Sequence, residues 1–229
     1  DIAKLIKVFY ESFANKKKQP ALLLKTSGAT FSVMDKAEIL KKIGDVKNEF
    51  PADWNLPNVY LLHGDMTDKE IHSLFEHPQI TALLTLSHGE GFGLPVFEAA
   101  YSGVPVVAPG WSGQLDFLVD KKTGQDYFYN VEYDIHPIPE NVVWEGVMIK
   151  ESMWAVPREH SAKQQMRKCY AELTSGDDNA GITRATENAK RLHTEMTEHN
   201  QNAQMVAAVC RALNIDPEIS LDDQVLEFE

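Results

Sequence analysis

Two carboxylates frame a glycine-rich stretch near the middle of the chain. Residues 87–95 read Ser-His-Gly-Glu-Gly-Phe-Gly-Leu-Pro, and Glu98 follows Glu90 with seven residues between them. A glycine loop that leads into a helix directs backbone N–H groups at a ligand, and the helix dipole favours an anion there. Carboxylates beside such a loop accept charge-assisted hydrogen bonds from ligand hydroxyls. The stretch therefore indicates a pocket that binds a phosphate through backbone dipoles and hydroxyl groups through carboxylates.

The elements around this stretch follow the order strand, loop, helix, strand. Residues 80–86 are mostly apolar, which is typical of a strand buried on both faces of a parallel sheet. Pro95 suits the start of a helix, where its missing N–H would have no partner, and Gly103 suits the end of a short one. The apolar, β-branched run at 104–108 predicts the next strand.

Short apolar runs, helical periodicity and capping boxes extend this alternation in both directions. Helices of about ten residues between short apolar strands predict βαβ units. We therefore predict an α/β fold: a Rossmann-like, doubly wound, mainly parallel sheet with flanking helices and a helical C-terminal extension. The other predicted elements are helices at 2–13, Asp35 to Phe50, Thr67 to Phe75, 114–119 and 158–173, strands at 21–24, 59–62 and 142–149, and one long helix or two at 185–213.

Loops that follow parallel strands meet at one edge of the sheet, and ligands bind there. Four predicted loops share this edge: residues 25–28, 63–66, 87–94 and 110–113. From position alone, Lys25 either faces the phosphate group of a ligand or is an ordinary surface lysine.

The central motif resembles that of the retaining GT-B glycosyltransferases. The resemblance lies in Glu-Gly-Phe-Gly-Leu-Pro at 90–95, Glu98-Ala99, and the run at 103–108. In that family both glutamates belong to the C-terminal domain, which binds a nucleotide sugar. The resemblance implies that Glu90 is the catalytic residue, lying against the hydroxyls of the transferred sugar, and that Glu98 accepts hydrogen bonds from the ribose. It implies a hexosyltransferase-type enzyme of polysaccharide or glycoconjugate synthesis.

The resemblance also implies which loop binds which part of the ligand. The backbone around Phe92 receives the diphosphate, and the loop of residues 63–66 contacts the nucleobase. His88 either hydrogen-bonds the sugar or phosphate or is a spacer in the loop. The substrate is a nucleoside-diphosphate sugar, and we expect no cofactor and no metal. The predicted ligand-binding residues are Lys25, Gly64, Met66, His88, Gly91, Phe92, Gly93, Leu94 and Glu98.

Composition narrows the class of partner. The net charge of −12 argues against a nucleic-acid surface, which would need clustered Lys and Arg. No apolar run reaches the roughly 18 residues of a membrane-spanning helix, and no signal peptide is visible. Cys169 and Cys210 lack a CxxC spacing and suit reduced thiols. We expect a cytoplasmic protein, or one held at a membrane periphery by a missing part of the chain.

The turn-forming residues at 174–181 are the best candidate for a domain boundary. We predict a donor-binding domain at 1–174 and a helical extension at 175–229 that ends in an acidic tail. The acceptor-binding domain is expected on a missing N-terminal part, so the chain alone should bind nucleotide sugars weakly and be inactive. Two other classes stay open: a non-catalytic nucleotide-sugar-binding module, and a glycoside hydrolase that uses Glu90 and Glu98 as acid and base.

Overall fold

The structure, a computed structural model, describes residues 2–26, 32–176 and 179–214. The predicted acidic tail and residues 27–28 of the first predicted loop lie outside the described residues. The elements are α1 (Ile2–Phe13), β1 (Leu22–Lys25), α2 (Val33–Asn48), β2 (Val59–Leu62), α3 (Asp68–Phe75), β3 (Leu83–Leu84), α4 (Leu94–Tyr101), β4 (Val106–Pro109), α5 (Leu115–Leu118), β5 (Tyr129–Val131), β6 (Tyr133–Pro137), a 3₁₀ turn (Glu140–Val142), β7 (Met153–Pro157), α6 (Glu159–Thr174), α7 (Ala180–Glu195) and α8 (Glu198–Leu213).

Parallel pairing dominates the strands. β1 pairs with β2, and β3, β4 and β5 form a second ladder in that order. The remaining pair, β6 and β7, is an antiparallel hairpin that precedes α6. Helices flank these ladders, so the predicted α/β class with parallel strands and flanking helices is confirmed. All four predicted loops follow the carboxyl ends of parallel strands.

The main hydrophobic core lies where α1, α2 and α6 pack on the strands. Phe9 and Phe13 are buried on the apolar face of α1, and the ring of Tyr170 in α6 lies 5.4 Å from that of Phe13. α1 contacts both α2 and α6, whereas α4 contacts α3 and α5. The helices therefore form two groups, as expected when a sheet is covered on both faces.

Of the two capping boxes predicted at helix starts, the structure confirms one and corrects the other. The capping box of Thr67 and Glu70 is present at the start of α3. The second predicted box, Asp35 with Glu38, is wrong, because the N-cap of α2 is Ser32, whose hydroxyl accepts from the Asp35 amide at 3.1 Å. The carboxylate of Asp35 instead contacts the ring of His63.

The predicted strand at 142–149 is also wrong. This apolar run begins in the 3₁₀ turn, and the Trp144 and Ile149 side chains are exposed. The strand that pairs with β6 is β7, with Ile135 opposite Ala155. The prediction of a strand here depended on hydrophobic residues alone. A strand also needs the edge of a second strand to pair with, and β6 pairs with β7, whose centre lies about ten residues after the middle of the 142–149 run.

The C-terminal part contains two helices rather than one. α8 begins after Thr197, whose hydroxyl caps the Asn200 amide. One compact unit ends at Ala189 and a second begins at Lys190, whereas the sequence suggests a boundary after residue 174, and that boundary stays a prediction. In the described parts of the chain, no helix combines the length and apolar character that crossing a bilayer requires.

Candidate functional site

α4 begins without a side-chain cap. Its N-cap, Gly93, has a φ of +87°, a left-handed conformation that glycine adopts without a Cβ penalty. The Gly93 carbonyl accepts the amides of Val96 and Phe97, each at 2.9 Å. Among the described residues, none accepts a hydrogen bond from the amides of Phe92, Gly93 or Leu94. The helix therefore starts with three backbone donors that a ligand anion suits well.

The loop after β4 holds the glycine loop in place. Ser112 Oγ accepts from the Glu90 amide at 3.0 Å and donates to the Glu90 carbonyl oxygen. The Gly113 amide donates to the same oxygen at 3.1 Å. A Cβ on Gly113 would overlap the carbonyl of Gly91, so the two loops approach as closely as a glycine allows. These contacts fix the backbone of Glu90, whose side chain is half-buried.

His88 is held by the β6–β7 hairpin. Its ring stacks on Trp154 with centroids 4.1 Å apart, and its Nδ1 lies 2.7 Å from the Ala155 carbonyl oxygen. A carbonyl only accepts, so Nδ1 carries the proton, and Nε2 of the neutral ring is then an acceptor. The Ala155 amide in turn donates to the His88 carbonyl at 3.1 Å. These contacts hold the His88 ring in one orientation, and its predicted hydrogen bond to the sugar or phosphate stays a prediction.

Lys25 connects the loops after β1 and β2. Its Nζ donates to the Gly64 carbonyl at 2.7 Å, and Gly64 itself has a φ of +118°. Next to it, His63 Nε2 and Asp35 Oδ2 are 2.9 Å apart, with side chains only 8% and 13% exposed. An ammonium group has three N–H donors, so Lys25 keeps donors beyond the one bound to Gly64. Its predicted contact with a diphosphate stays a prediction.

The loops after β1 and β2 lie next to the loops after β3 and β4. Lys25 and Thr26 line the same cavity as Ser87 and Pro95. The structure thus brings together the loops that topology predicted at one edge. Met66 takes no part in lining this cavity, and its amide is bound by the Asp65 carboxylate at 3.0 Å. Its predicted contact with a nucleobase stays a prediction.

The remaining predicted residues lie along α4. Leu94 is 62% exposed at the first position of the helix, and Gly91 is exposed in the loop before it. The Phe92 ring packs 5.1 Å from the ring of Phe117 and is still 40% exposed. Glu98 lies one turn into the helix and is half-buried.

Two groups that shape the site were missed by sequence reasoning. Ser112 was passed over although its loop was placed on the correct edge, and its φ of +74° is rare for a residue with a side chain. No feature of the sequence indicated that Trp154 belongs to the site. Its stacking partner is 66 positions away, and no spacing rule predicts such a contact. No cluster of three or more His, Cys, Asp or Glu side chains suited to a metal occurs in the described residues.

Comparison with known families bears on the same region. A family model described as "Glycosyl transferases group 1" matches residues 3–126, more than half of the 229-residue chain. The chain belongs to this family. The match includes both motif glutamates of this group 1 glycosyltransferase, the start of α4 and all four loops. A search of curated proteins returned no significant match.

Proposed function

We propose that this group 1 glycosyltransferase chain is the donor-binding half of a retaining enzyme, which transfers a sugar from a nucleoside-diphosphate sugar to an acceptor. One observation carries the proposal. The amides of Phe92, Gly93 and Leu94, at the start of α4, have no acceptor among the described residues, and the two motif glutamates flank them in the sequence.

Sugar transfer breaks the bond between the anomeric carbon and the diphosphate. Negative charge grows on the leaving diphosphate while positive charge grows on the sugar ring. Backbone donors that are already oriented stabilise the leaving group without reorganising, and one such donor contributes about 3 kcal/mol in comparable oxyanion sites. The start of α4 supplies three of them, and its helix dipole adds to the same potential.

The glutamates have separate roles in this proposal. Glu90, with its backbone fixed by Ser112 and Gly113, contacts the hydroxyls of the transferred sugar. Glu98 accepts hydrogen bonds from the two ribose hydroxyls. Charge-assisted hydrogen bonds from a vicinal diol to a carboxylate are about twice as strong as neutral ones. Lys25 and His88 complete the donor site at the sheet edge.

The acceptor is bound elsewhere in this proposal, in a second domain that faces the donor site. The chain alone then binds nucleotide sugars weakly and does not turn over. Turnover by the purified chain would contradict this part of the proposal. In a parent polypeptide that carries both domains, Glu90→Gln abolishes transfer if the site is catalytic. A non-catalytic nucleotide-sugar module would have no transfer activity to lose.

Calorimetric titration of the chain tests the donor site directly. UDP, GDP and ADP, each with and without a hexose, are titrated into the wild type, Glu98→Gln and Glu38→Gln. Glu38 is exposed on α2, far from the motif in sequence, and is the matched control. We expect Glu98→Gln to weaken the tightest ligand about tenfold or more, and the control to leave it unchanged. Equal affinity of all three proteins, or no binding by any, would overturn the proposed site.

A further inference from the structure

The connection between β6 and β7 is a long, exposed turn. Residues 139–152 span it, none of them is buried, and all but Val142, Met148 and Ser152 are exposed. We call residues 139–152 the hairpin tip. Within the described residues, every hydrogen bond and ion pair of the hairpin tip has its partner in the tip itself or in Ile138. The hairpin tip therefore projects without polar support from the rest of the protein.

The hairpin tip exposes large apolar side chains, whereas most surface turns are polar. Trp144 is 69% exposed, and Val147 and Ile149 are each more than half exposed. Ile135 in β6 and Met153 in β7 are exposed as well. These two residues lie on the same face of the hairpin, because cross-strand pairs and residues two apart in a strand share a face. Exposed apolar surface of this kind marks a contact with another protein or with a membrane.

The backbone of the hairpin tip closes on itself around one tight turn. Trp144 and Met148 exchange both of their backbone hydrogen bonds, at 3.0 and 2.7 Å. Gly146 lies between them with a φ of +79°, which a three-residue turn requires. Backbone groups that already have partners enter an apolar medium at little cost, whereas unpaired groups oppose it. The side chains beside this pair can therefore leave water without leaving its backbone groups unpaired.

The exposed apolar surface of the hairpin is small for a stable protein–protein interface. A fully exposed aromatic side chain offers roughly 150–250 Å², and an aliphatic one offers less. At their fractional exposures, the five side chains named above offer on the order of 500 Å² together. A standard interface buries about 800 Å² on each partner. A projecting turn of this size suits a lipid headgroup layer, where interfacial segments lie roughly 5–10 Å deep and tryptophan is enriched.

The charges of the hairpin tip select the kind of bilayer. The tip contains Glu140, Glu145 and Glu151 but a single basic residue, Lys150, which lies 3.6 Å from Glu140. The whole chain carries a net charge of −12. An anionic bilayer attracts clusters of Lys and Arg, so it would repel this tip. A phosphatidylcholine surface presents quaternary ammonium groups, which the ring of Trp144 attracts through a cation–π interaction and the neighbouring Glu145 attracts by its charge.

We propose that the hairpin tip docks on the surface of a zwitterionic bilayer and inserts the side chains of Trp144, Val147 and Ile149 into its headgroup layer. Burial of these apolar side chains drives the docking. Glu145 stays at the level of the ammonium groups, because burying its charge in hydrocarbon would be costly. Few side chains enter the bilayer, so the docking is reversible.

The base of the same hairpin contacts the glycine-rich motif. The Ala155 amide donates to the His88 carbonyl at 3.1 Å, and the Trp154 ring stacks on the His88 ring. His88 precedes Glu90 by two residues. Docking of the hairpin tip therefore holds the donor site beside the bilayer. This consequence rests on the proposed function, whereas the docking itself needs no nucleotide sugar and is tested without one.

Flotation of the 229-residue chain with phosphatidylcholine vesicles gives the first test. The wild type is compared with the double variant Trp144→Ser/Val147→Ser and with the control Met205→Ser/Leu213→Ser, which removes two similarly exposed apolar side chains of α8. We expect the tip variant to lower the partition coefficient at least about tenfold and the control to leave it within about twofold. No binding by the wild type, or a loss in the control as large as that in the tip variant, would overturn the proposal.

The charge of the lipid gives the second test. Replacing a third of the phosphatidylcholine with phosphatidylglycerol adds negative charge to the same vesicles. We expect this change to weaken binding, because the hairpin tip and the whole chain are acidic. Binding that appears only when phosphatidylglycerol is present would overturn the choice of a zwitterionic surface.

Hydrogen exchange of the wild type, followed by mass spectrometry with and without phosphatidylcholine vesicles, needs no variant. We expect peptides that cover residues 142–151 to exchange at least about threefold more slowly on vesicles, and peptides from α2 to be unchanged. Protection at another place in the chain, with none at 142–151, would overturn the proposal.

Sedimentation of the chain without lipid tests the other occupant of this surface, a second copy of the chain. A monomer at micromolar concentration supports docking on a bilayer. A dimer that Trp144→Ser/Val147→Ser dissociates would assign the hairpin tip to a contact between two copies, and it would overturn the proposal.

Discussion

A single hydroxyl binds both backbone groups of the first motif glutamate. Ser112 Oγ accepts the Glu90 amide at 3.0 Å and donates to the Glu90 carbonyl. Ser112 belongs to the loop after β4, and Glu90 to the loop after β3, so one side chain couples two loops at the sheet edge. The direction of the Glu90 side chain depends on this coupling, because it leaves from the backbone that Ser112 fixes.

Ser112→Ala should loosen the glycine loop. Each hydrogen bond contributes about 0.5–1.5 kcal/mol, so we expect the free energy of unfolding to fall by about 1–2 kcal/mol and nucleotide affinity to fall with it. Ser102→Ala is the control, because the buried Ser102 hydroxyl has no hydrogen-bond partner among the described residues and its removal should be close to neutral. Urea unfolding and titration measure both quantities. Equal losses in the two variants would contradict the role of Ser112.

Gly113→Ala should separate the same two loops by steric overlap. A Cβ at this position would overlap the backbone carbonyl of Gly91, which cannot move aside as a flexible side chain can. At Gly91 no atom of the described residues lies within 4 Å of an added Cβ, so Gly91→Ala is the matched variant. We expect Gly113→Ala to lose at least about 2 kcal/mol of stability, within the range for overpacking. Comparable stabilities of the two variants would show that the loops can separate without cost.

A clash of another kind is expected where α7 begins. The Tyr129 hydroxyl donates to Glu172 Oε2 at 2.8 Å, and the Arg184 guanidinium lies 4.4 Å from the tyrosine ring centroid. A Cβ on Gly181 would meet that hydroxyl. Gly→Ala inside a helix usually stabilises by about 1 kcal/mol, but here we expect Gly181→Ala to destabilise.

Making the same Gly181→Ala substitution in a Tyr129→Phe variant tests whether the clash with the hydroxyl causes the loss of stability. Removing the hydroxyl removes the atom that Gly181→Ala would meet, so the substitution should be less harmful there, or even stabilising. Thermal unfolding of the four proteins of this double-mutant cycle gives the coupling between the two positions. Additive effects would rule out the clash as the cause.

Alkaline pH should destabilise the chain through its buried thiol. Burial raises the pKa of Cys169 to about 12, whereas an exposed thiol titrates near pH ~8.5. Between these values the unfolded chain loses the proton and the folded chain keeps it, so stability falls as pH rises from about 9. Burial raises the pKa of the Tyr129 phenol as well, and its effect has the same sign.

Cys169→Ala tests the contribution of the thiol. The variant should lose stability at pH 7 because a core side chain is shortened, yet its stability should fall less steeply with pH than that of the wild type. Cys210→Ala, which alters a half-exposed thiol, should keep the wild-type slope. Urea unfolding between pH 7 and pH 11 measures the slopes. Parallel curves for wild type and Cys169→Ala would exclude the thiol as the source.

The amino-acid sequence by itself determined the local features of the site. Pro95 and Gly103 delimited α4 because each residue restricts or permits backbone angles at its own position. Thr67 and Glu70 marked the start of α3 for a similar reason, since a capping box spans only four residues. Alternation of strands and helices then placed four loops on one edge. These signals depend on neighbours in the chain, so they can be read without a structure.

Tertiary structure alone decided which distant groups meet. The pairing of β6 with β7, the stacking of His88 on Trp154 and the bonds from Ser112 to Glu90 all join segments that are far apart in the chain. Sequence periodicity carries no information on such partners, because an apolar run such as 142–149 looks the same whether or not an edge is available to it.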